Sequence, residues 1–173
     1  MKILNLHGLN GSNKNTNYKF LSEYYKGRDD VEIISPQLDY ANISPSTILV
    51  DILTICPDPT IIVGNSFGGF FAYLVGAMTG VKTFLINPCI PPHKYIKNLV
   101  PDYQYSDILE YVWNRFSIVN VDYEMLLGDN DNVLDIQTTL NTIYAANSKS
   151  KIIAGGHSLS GEEYEKWFKE KLA

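Results

Sequence analysis

Residues 60–80 read TIIVGNSFGGFFAYLVGAMTG, and this stretch decides the fold. It opens with a short β-branched apolar run, which is typical of a buried strand. A glycine-rich turn with Ser66 at its apex follows, and beyond the turn apolar residues recur at helical spacing. The stretch therefore predicts a strand, a sharp turn that carries a serine, and a helix.

The spacing Gly64-x-Ser66-x-Gly68 has the form of a nucleophile elbow. The serine of such an elbow adopts a strained backbone conformation, and the positions two before and two after it must lack bulk so that strand and helix can approach. The hydroxyl then stands free at the carboxyl end of the strand. The pattern predicts Ser66 as a nucleophile, and the alternative is a glycine-rich turn without a catalytic role.

Strand-like and helix-like segments alternate along the rest of the chain. The predicted strands cover 3–6, 31–34, 61–63, 83–86, 123–127 and 152–153. Asn15 or Thr16 is predicted to cap the first helix. Ser160 and Glu163 are predicted to form a capping box at the start of the last helix. The alternation predicts an α/β fold, with a mostly parallel sheet of about six strands between two layers of helices.

The segment 89–122 is too long for an ordinary connection between a strand and a helix. It contains three prolines, several tyrosines and one helical stretch around Leu109. A surface excursion of this length can cover a ligand site. We therefore interpret 89–122 as a short lid.

Composition and charge exclude several classes of protein. The 173 residues, 45% of them apolar, predict a single domain over 1–173. The net charge of −5 argues against nucleic acid or an anionic membrane as partner. We find no signal peptide and no apolar run of the roughly 18 residues that a membrane span needs. Cys56 and Cys89 lack metal-ligand spacing, so reduced thiols and a cytoplasmic location are expected.

The chain contains three histidines that could activate a serine. His157 follows the last predicted strand, and the chain order Ser, Asp, His expected of this architecture favours it as the base. His7 belongs to the loop after the first strand and is predicted to hold the shape of that loop. His93 lies between a proline and a lysine in the predicted lid, where we expect it to be exposed.

The carboxylate that orients the base should follow the strand at 123–127. Asp131 lies at the tip of that loop and is favoured. Asp129 is the main competitor, although it could serve only to shape the turn. Asp135 lies in the first turn of the next helix, where the helix dipole favours a carboxylate without any catalytic role.

An oxyanion that forms during attack on a carbonyl needs two preorganised donors. The backbone N–H of Phe67, directly after the serine, is one candidate. The second should come from the loop after the first strand, where Leu9 N–H is favoured and Asn10 N–H is the alternative.

Five segments, taken together and in order, resemble a known family. They are 3–12, which ends in HGLNGS, 64–69 (GNSFGG), 85–88 (LINP), 131–135 (DNVLD) and 155–158 (GGHS). The sequence is similar to the α/β-hydrolase superfamily and, within it, to the YqiA-like family of small bacterial esterases. The resemblance implies Ser66 as nucleophile, His157 as base and Asp131 as its orienting acid, with short acyl esters as substrates and no metal or organic cofactor. Asn65 departs from the family, which tends to have serine there.

The leading hypothesis is a cytoplasmic serine esterase that acts on a small-molecule carboxylic ester, as a monomer or a small homo-oligomer. Several apolar residues could form an acyl pocket, although ordinary core or lid packing is the alternative for the aromatic ones: Leu9, Phe67, Tyr105, Trp113 and Phe116. A thioesterase with the same triad and a non-catalytic binding protein on the same scaffold stay open. A phosphate cradle is disfavoured, because the turn lacks the lysine of a P-loop.

Overall fold

A computed structural model describes residues 1–116, 121–143 and 149–173. Within them lie six strands: β1 (Lys2–Leu6), β2 (Glu32–Ile34), β3 (Ile61–Asn65), β4 (Thr83–Ile86), β5 (Tyr123–Gly128) and β6 (Lys149–Ile153). The sheet order is β2-β1-β3-β4-β5-β6, and every neighbouring pair is parallel. The predicted parallel sheet is therefore confirmed.

The described helices are α1 (Thr16–Tyr24), α2 (Pro45–Ile55), α3 (Phe67–Thr79), α4 (Ile96–Leu99), α5 (Ser106–Phe116), α6 (Ile136–Ile143) and α7 (Glu162–Leu172). Asn15 caps α1, since its side chain accepts a hydrogen bond from the N–H of Tyr18. The predicted capping box at α7 is wrong. The N-cap is Gly161, without a side-chain hydrogen bond, and its φ of 91° is a conformation that favours glycine over serine.

Helices cover both faces of the sheet because successive strand residues point to opposite sides. On one face, Ile3 and Phe84 pack with the aromatic residues of α7. On the other face, Leu4 and Leu85 belong to the larger core, together with residues of α2, α3 and α5. The arrangement is the three-layer α/β architecture that the sequence predicts.

The strand order also determines where a site can form. The chain runs from β1 outward to β2, and then returns so that β3 pairs with the opposite side of β1. The loops after β1 and β3 consequently leave the sheet in different directions and open a crevice at the carboxyl ends of these strands. Ser66 directly follows β3, so it lies at this crevice.

The described part of the predicted lid, 89–116, packs onto the body of the domain. It contains a short 3₁₀ turn (Pro92–Lys94) in addition to α4 and α5, and α5 contacts α2 and α3. Leu109 and Trp113 are buried in the larger core. Residues 117–120 lie outside the described residues, and covering of the site by this segment stays a prediction.

Cys56 and Cys89 are both free and buried. Across 1–116, 121–143 and 149–173, no helix is long and apolar enough to cross a membrane.

Candidate active site

The backbone of Ser66 has the strained conformation that an elbow requires. Its φ of 52° and ψ of −123° are unfavourable for a residue with a side chain. Neighbouring backbone groups hold this geometry: the N–H of Ser66 donates to Ile86 O at 3.0 Å, and Ser66 O accepts from the N–H groups of Gly69 at 2.9 Å and Cys89 at 2.8 Å. The hydroxyl is thus fixed at the carboxyl end of β3.

The glycines on either side of the serine are required by close packing. A Cβ on Gly64 would lie 2.5 Å from the carbonyl oxygen of Gly68 and 2.6 Å from the Cβ of Ala72. A Cβ on Gly68 would overlap the carbonyl oxygen of His7. The steric reason inferred for the G-x-S-x-G spacing therefore applies in this fold.

Ser66, His157 and Asp131 form a continuous hydrogen-bonded chain. The Nε2 atom of His157 lies 2.9 Å from Ser66 Oγ, and its Nδ1 atom lies 2.8 Å from Asp131 Oδ2. With Asp131 ionised, Nδ1 carries the proton and donates to the carboxylate, so Nε2 accepts from the serine hydroxyl. The side chain of Asp131 is 1% exposed and that of His157 is 21% exposed. Ser66 is also buried, so His157 has the most exposed side chain of the three residues.

The environment of Asp131 favours its ionised form. Burial opposes ionisation, but the ring of His157 and the N–H groups of Leu134 and Val133 outweigh it, and the pKa of Asp131 is lowered below its ordinary value. The two N–H groups donate to Oδ1 at 3.0 and 2.8 Å, which leaves Oδ2 for the imidazole. The carboxylate is thus oriented as well as charged.

The two competing carboxylates are engaged elsewhere. Asp129 is exposed, and its Oδ1 accepts from the N–H of Gly155 at 3.0 Å. Asp135 caps α6 through the N–H of Thr138 at 2.9 Å. Among the three candidates, the structure brings Asp131 to His157.

Asn87 anchors the loop that carries His157. It is 2% exposed, and its Nδ2 donates to the carbonyl oxygens of Gly156 at 3.0 Å and His157 at 2.8 Å. Its Oδ1 accepts from the N–H of Gly128 at 2.8 Å. One side chain directly after β4 therefore joins the end of β5 to the loop after β6. The sequence pattern predicts no role for Asn87, although this residue belongs to the LINP segment of the family resemblance.

The other histidines differ in their surroundings. His7 is buried; its Nδ1 donates to Gly8 O at 2.7 Å and its Nε2 accepts from Leu38 N–H at 2.9 Å. It thus braces the first loop, as the sequence predicts. His93 is half-buried, and its buried Nδ1 has no partner among the described residues, so the expectation that it is exposed is wrong. Both α4 and α5 contact the 3₁₀ turn that contains it.

A cavity of about 310 Å³ opens next to the serine. Its lining comes from the last residues of β3 and β4, from the loops after β1, β3 and β6, and from the start of α1: Gly8, Leu9, Gly11, Asn15, Thr16, Asn17, Lys19, Asn65, Ser66, Ile86, His157, Ser158 and Leu159. A larger cavity of about 420 Å³ between α1 and α7 shares Thr16 and Lys19 with it but includes neither Ser66 nor His157. The smaller cavity is therefore the one in which chemistry at Ser66 can occur.

The predicted apolar pocket matches this cavity only at Leu9. The side chain of Phe67 is fully buried, and Trp113 packs against Phe70 and Tyr73. Tyr105 donates to Asn42 O, and Phe116 lies against the larger core. Core packing, which was the alternative, accounts for the aromatic residues.

The two predicted oxyanion donors are unengaged. Within the ranges that the structure describes, neither Leu9 N–H nor Phe67 N–H donates to a protein acceptor. Both belong to the turns that flank Ser66 Oγ. Among the described residues, no group of three His, Cys, Asp or Glu side chains could hold a metal ion.

A parallel sheet with a strained serine turn after β3, flanked by helices, defines the α/β-hydrolase fold. The chain belongs to UPF0227, an uncharacterised protein family whose model matches residues 2–165. The YqiA-like resemblance inferred from the sequence is thereby confirmed. A UPF0227 protein of Shewanella sp. (strain ANA-3) is 26% identical over 152 residues, which cover 82% of this chain and 82% of the relative.

Solved structures share the fold at low sequence identity. The esterase domain of a Rhodothermus marinus protein superposes with a TM-score of 0.65 at 16% identity, covering 99% of this chain and 84% of that one. The fluorophosphonate-binding serine hydrolase F (FphF) of Staphylococcus aureus gives 0.64 at 16% identity, covering 99% and 81%. At this identity the similarity establishes the fold alone.

Proposed function

We propose that this protein is a serine esterase that hydrolyses a small carboxylic ester through Ser66, His157 and Asp131. The observation that carries the proposal is the hydrogen-bonded chain from Asp131 Oδ2 through the imidazole to Ser66 Oγ, with distances of 2.8 and 2.9 Å. A serine hydroxyl is a weak nucleophile on its own, and a base within hydrogen-bond reach is what activates it.

The reaction follows from the roles of these groups. Ser66 Oγ attacks the ester carbonyl while His157 Nε2 takes the hydroxyl proton, and Asp131 stabilises the imidazolium that results. Collapse of the tetrahedral intermediate passes that proton to the leaving alcohol and leaves an acyl group on Ser66. Water then attacks the acyl enzyme, His157 again takes and returns a proton, and the acid departs.

The negative charge of the tetrahedral oxygen needs donors that are already in place. We assign this role to the N–H groups of Leu9 and Phe67, which have no acceptor among the described residues. Removing one such donor typically costs about 3 kcal/mol of transition-state stabilisation. Both are backbone groups, so changing their side chains would not remove them.

The solved structures of similar fold support a hydrolytic role, since several are named as esterases or serine hydrolases. The volume of about 310 Å³ lies at the small end of ligand cavities, which favours short substrates. We propose cytoplasmic hydrolysis by a monomer or small homo-oligomer, without a metal or organic cofactor and without nucleic acid or membrane as partner.

The test is hydrolysis of p-nitrophenyl esters from acetate to octanoate by wild type, Ser66→Ala and His157→Ala. Both variants should lose about 10⁴-fold or more in kcat, because each removes a group that acts together with the other. Thermal melting should be unchanged in Ser66→Ala. His93→Ala is the matched histidine control and should retain activity, since His93 does not line the cavity.

Normal turnover by Ser66→Ala would overturn the proposal. A folded wild type that hydrolyses no oxygen ester would leave two alternatives. Turnover of the corresponding thioesters would identify a thioesterase. Failure of a fluorophosphonate to label Ser66 would favour the non-catalytic binding protein.

A further inference from the structure

The cavity beside Ser66 carries one kind of charge. Lys19 is exposed at its rim, and none of the residues that line the cavity is an aspartate or glutamate. The protein as a whole has a net charge of −5, so a cavity without carboxylates is unlike its surface on average. The electrostatic character of this cavity favours an anion over a cation.

A chain of hydrogen-bonded asparagine side chains forms the wall of the cavity on the side of α1. The positions of the amide oxygen and nitrogen can be assigned from Asn15 onward. The backbone N–H of Tyr18 donates to Asn15 Oδ1 at 2.9 Å, and a backbone N–H can only donate. The other amide atom of Asn15 is therefore Nδ2, which donates to Asn65 Oδ1 at 2.7 Å. This assignment leaves Asn65 Nδ2 as the outward group.

The side-chain oxygens of the three asparagines that line the cavity, Asn15, Asn17 and Asn65, all accept hydrogen bonds, whereas Asn65 Nδ2 is free among the described residues. Asn15 Oδ1 also accepts from Asn5 at 3.1 Å, and Asn17 Oδ1 accepts from the hydroxyl of Tyr164 at 2.7 Å. Asn65 Nδ2 donates to nothing among the described residues. Both Asn65 Nδ2 and Ser66 Cβ lie 3.1 Å from the position that a Cβ on Gly8 would occupy, so the free amide group is close to the serine.

Free N–H groups next to the nucleophile and a cation at the rim match a ligand that only accepts hydrogen bonds and carries negative charge. A carboxylate has this character. An alkyl chain does not, because it would leave Asn65 Nδ2 without water or a partner.

We propose that the ester cleaved at Ser66 carries a carboxylate on the portion that occupies this cavity, and that Asn65 and Lys19 recognise it. The inference rests on the proposed esterase function and specifies its substrate class: short esters of dicarboxylic acids, or esters whose alcohol portion bears a carboxylate. A cavity of about 310 Å³ holds such a molecule without an extended chain.

The experiment compares isosteric esters that differ in charge. Monoethyl succinate and ethyl levulinate place a carboxylate or a methyl ketone on the acyl side, and the butyrate esters of glycolate and of hydroxyacetone do the same on the alcohol side. Initial rates are followed by acid release at low ionic strength. Wild type should favour the charged member of one pair by about tenfold in kcat/KM, and the pair that shows the preference identifies the side.

Lys19→Gln should reduce that preference about fivefold, because the lysine is exposed and its charge is partly screened. Lys14→Gln is the matched control: it changes the net charge equally, but Lys14 does not line the cavity, so the preference should stay as in wild type. Added salt should reduce the preference of wild type more than that of Lys19→Gln.

The outcomes separate this inference from the function on which it rests. Hydrolysis without a preference for either charged ester, or an equal effect of the two lysine variants, would overturn the inference alone. So would labelling of Ser66 by a fluorophosphonate without hydrolysis of any of the four esters. If the protein hydrolyses none of the four esters and Ser66 is not labelled by the fluorophosphonate, both proposals are overturned.

Discussion

The two sides of Ser66 are built differently. Toward β4, β5 and β6, the polar side chains are hydrogen-bonded to protein groups: Asn87 makes three hydrogen bonds, and Asp131 accepts from two backbone N–H groups and the imidazole. Toward α1, the asparagine chain uses its oxygens internally and leaves Asn65 Nδ2 free among the described residues.

The difference matches the proposed division between catalysis on one side and substrate recognition on the other. Groups that transfer protons must be held before the substrate arrives, since reorganisation during the reaction would raise the barrier. Groups that bind the substrate need unused hydrogen-bonding capacity, and in an open cavity water can satisfy that capacity until the ligand replaces it. The side of β4 to β6 meets the first requirement and the side of α1 meets the second.

The largest expected effect comes from changing Asp131, the carboxylate on the side of β4 to β6. Asp131→Asn should lower kcat for p-nitrophenyl acetate by about 10⁴-fold, because an amide in that place favours the wrong tautomer of His157. Asp129→Asn is the matched control. Its oxygen can still accept from Gly155 N–H, so the loss should stay below about tenfold. A larger loss in Asp129→Asn than in Asp131→Asn would contradict the assignment.

A smaller effect should follow from removing the anchor of the histidine loop. Asn87 has a φ of 39°, so Asn87→Gly tolerates the backbone conformation while it deletes three hydrogen bonds. We expect kcat to fall about 10²-fold with little change in KM, since a displaced imidazole affects the reaction more than binding.

Asn98→Ala, an exposed residue of α4, is the control for Asn87→Gly and should behave as wild type. A fall in melting temperature with unchanged kcat would show that Asn87 stabilises the fold without positioning His157. Comparison of the pH profiles of kcat in wild type and Asn87→Gly separates the two roles further, because a displaced imidazole changes its environment.

Apart from Asn87, the elbow and the side of β4 to β6 could be predicted largely from local sequence. The elbow follows from a steric rule within five residues, and Gly64 and Gly68 fulfil it. His157 can be predicted as the base without the strand order, because it follows the last strand and the expected chain order is Ser, Asp, His. The six strands and the parallel sheet follow from the alternation of patterns along the chain.

Asn87 and the proposed recognition side could not be predicted in this way. The bonds of Asn87 span 41 and 69 residues, and the asparagine wall joins residues that are 50 apart. Periodicity also cannot distinguish an aromatic residue of the core from one that lines a pocket. For this reason the sequence places Trp113 in the predicted pocket, although it lies in the core. At α7 the capping-box motif predicts the wrong N-cap, because the helix begins after Gly161, whose positive φ favours glycine.

The smallest expected effect concerns the loop that carries Leu9 and leads from β1 to α1. His7 braces this loop with one donated and one accepted hydrogen bond, and only a neutral ring can make both. Burial lowers the pKa of His7 from its ordinary value of 6.5, with a partial opposing contribution from Gly8 O. The unfolded chain therefore binds a proton more readily than the folded one, and stability should decrease as the pH falls below 6.5.

Urea unfolding of wild type between about pH 7.5 and pH 5 should show this decrease, and His7→Gln should show a shallower slope because the titrating group is gone. A full slope in His7→Gln would mean that other groups cause the decrease. A reduced slope would show that the α1 side depends on a titratable brace, whereas the opposite side depends on Asn87, which does not titrate.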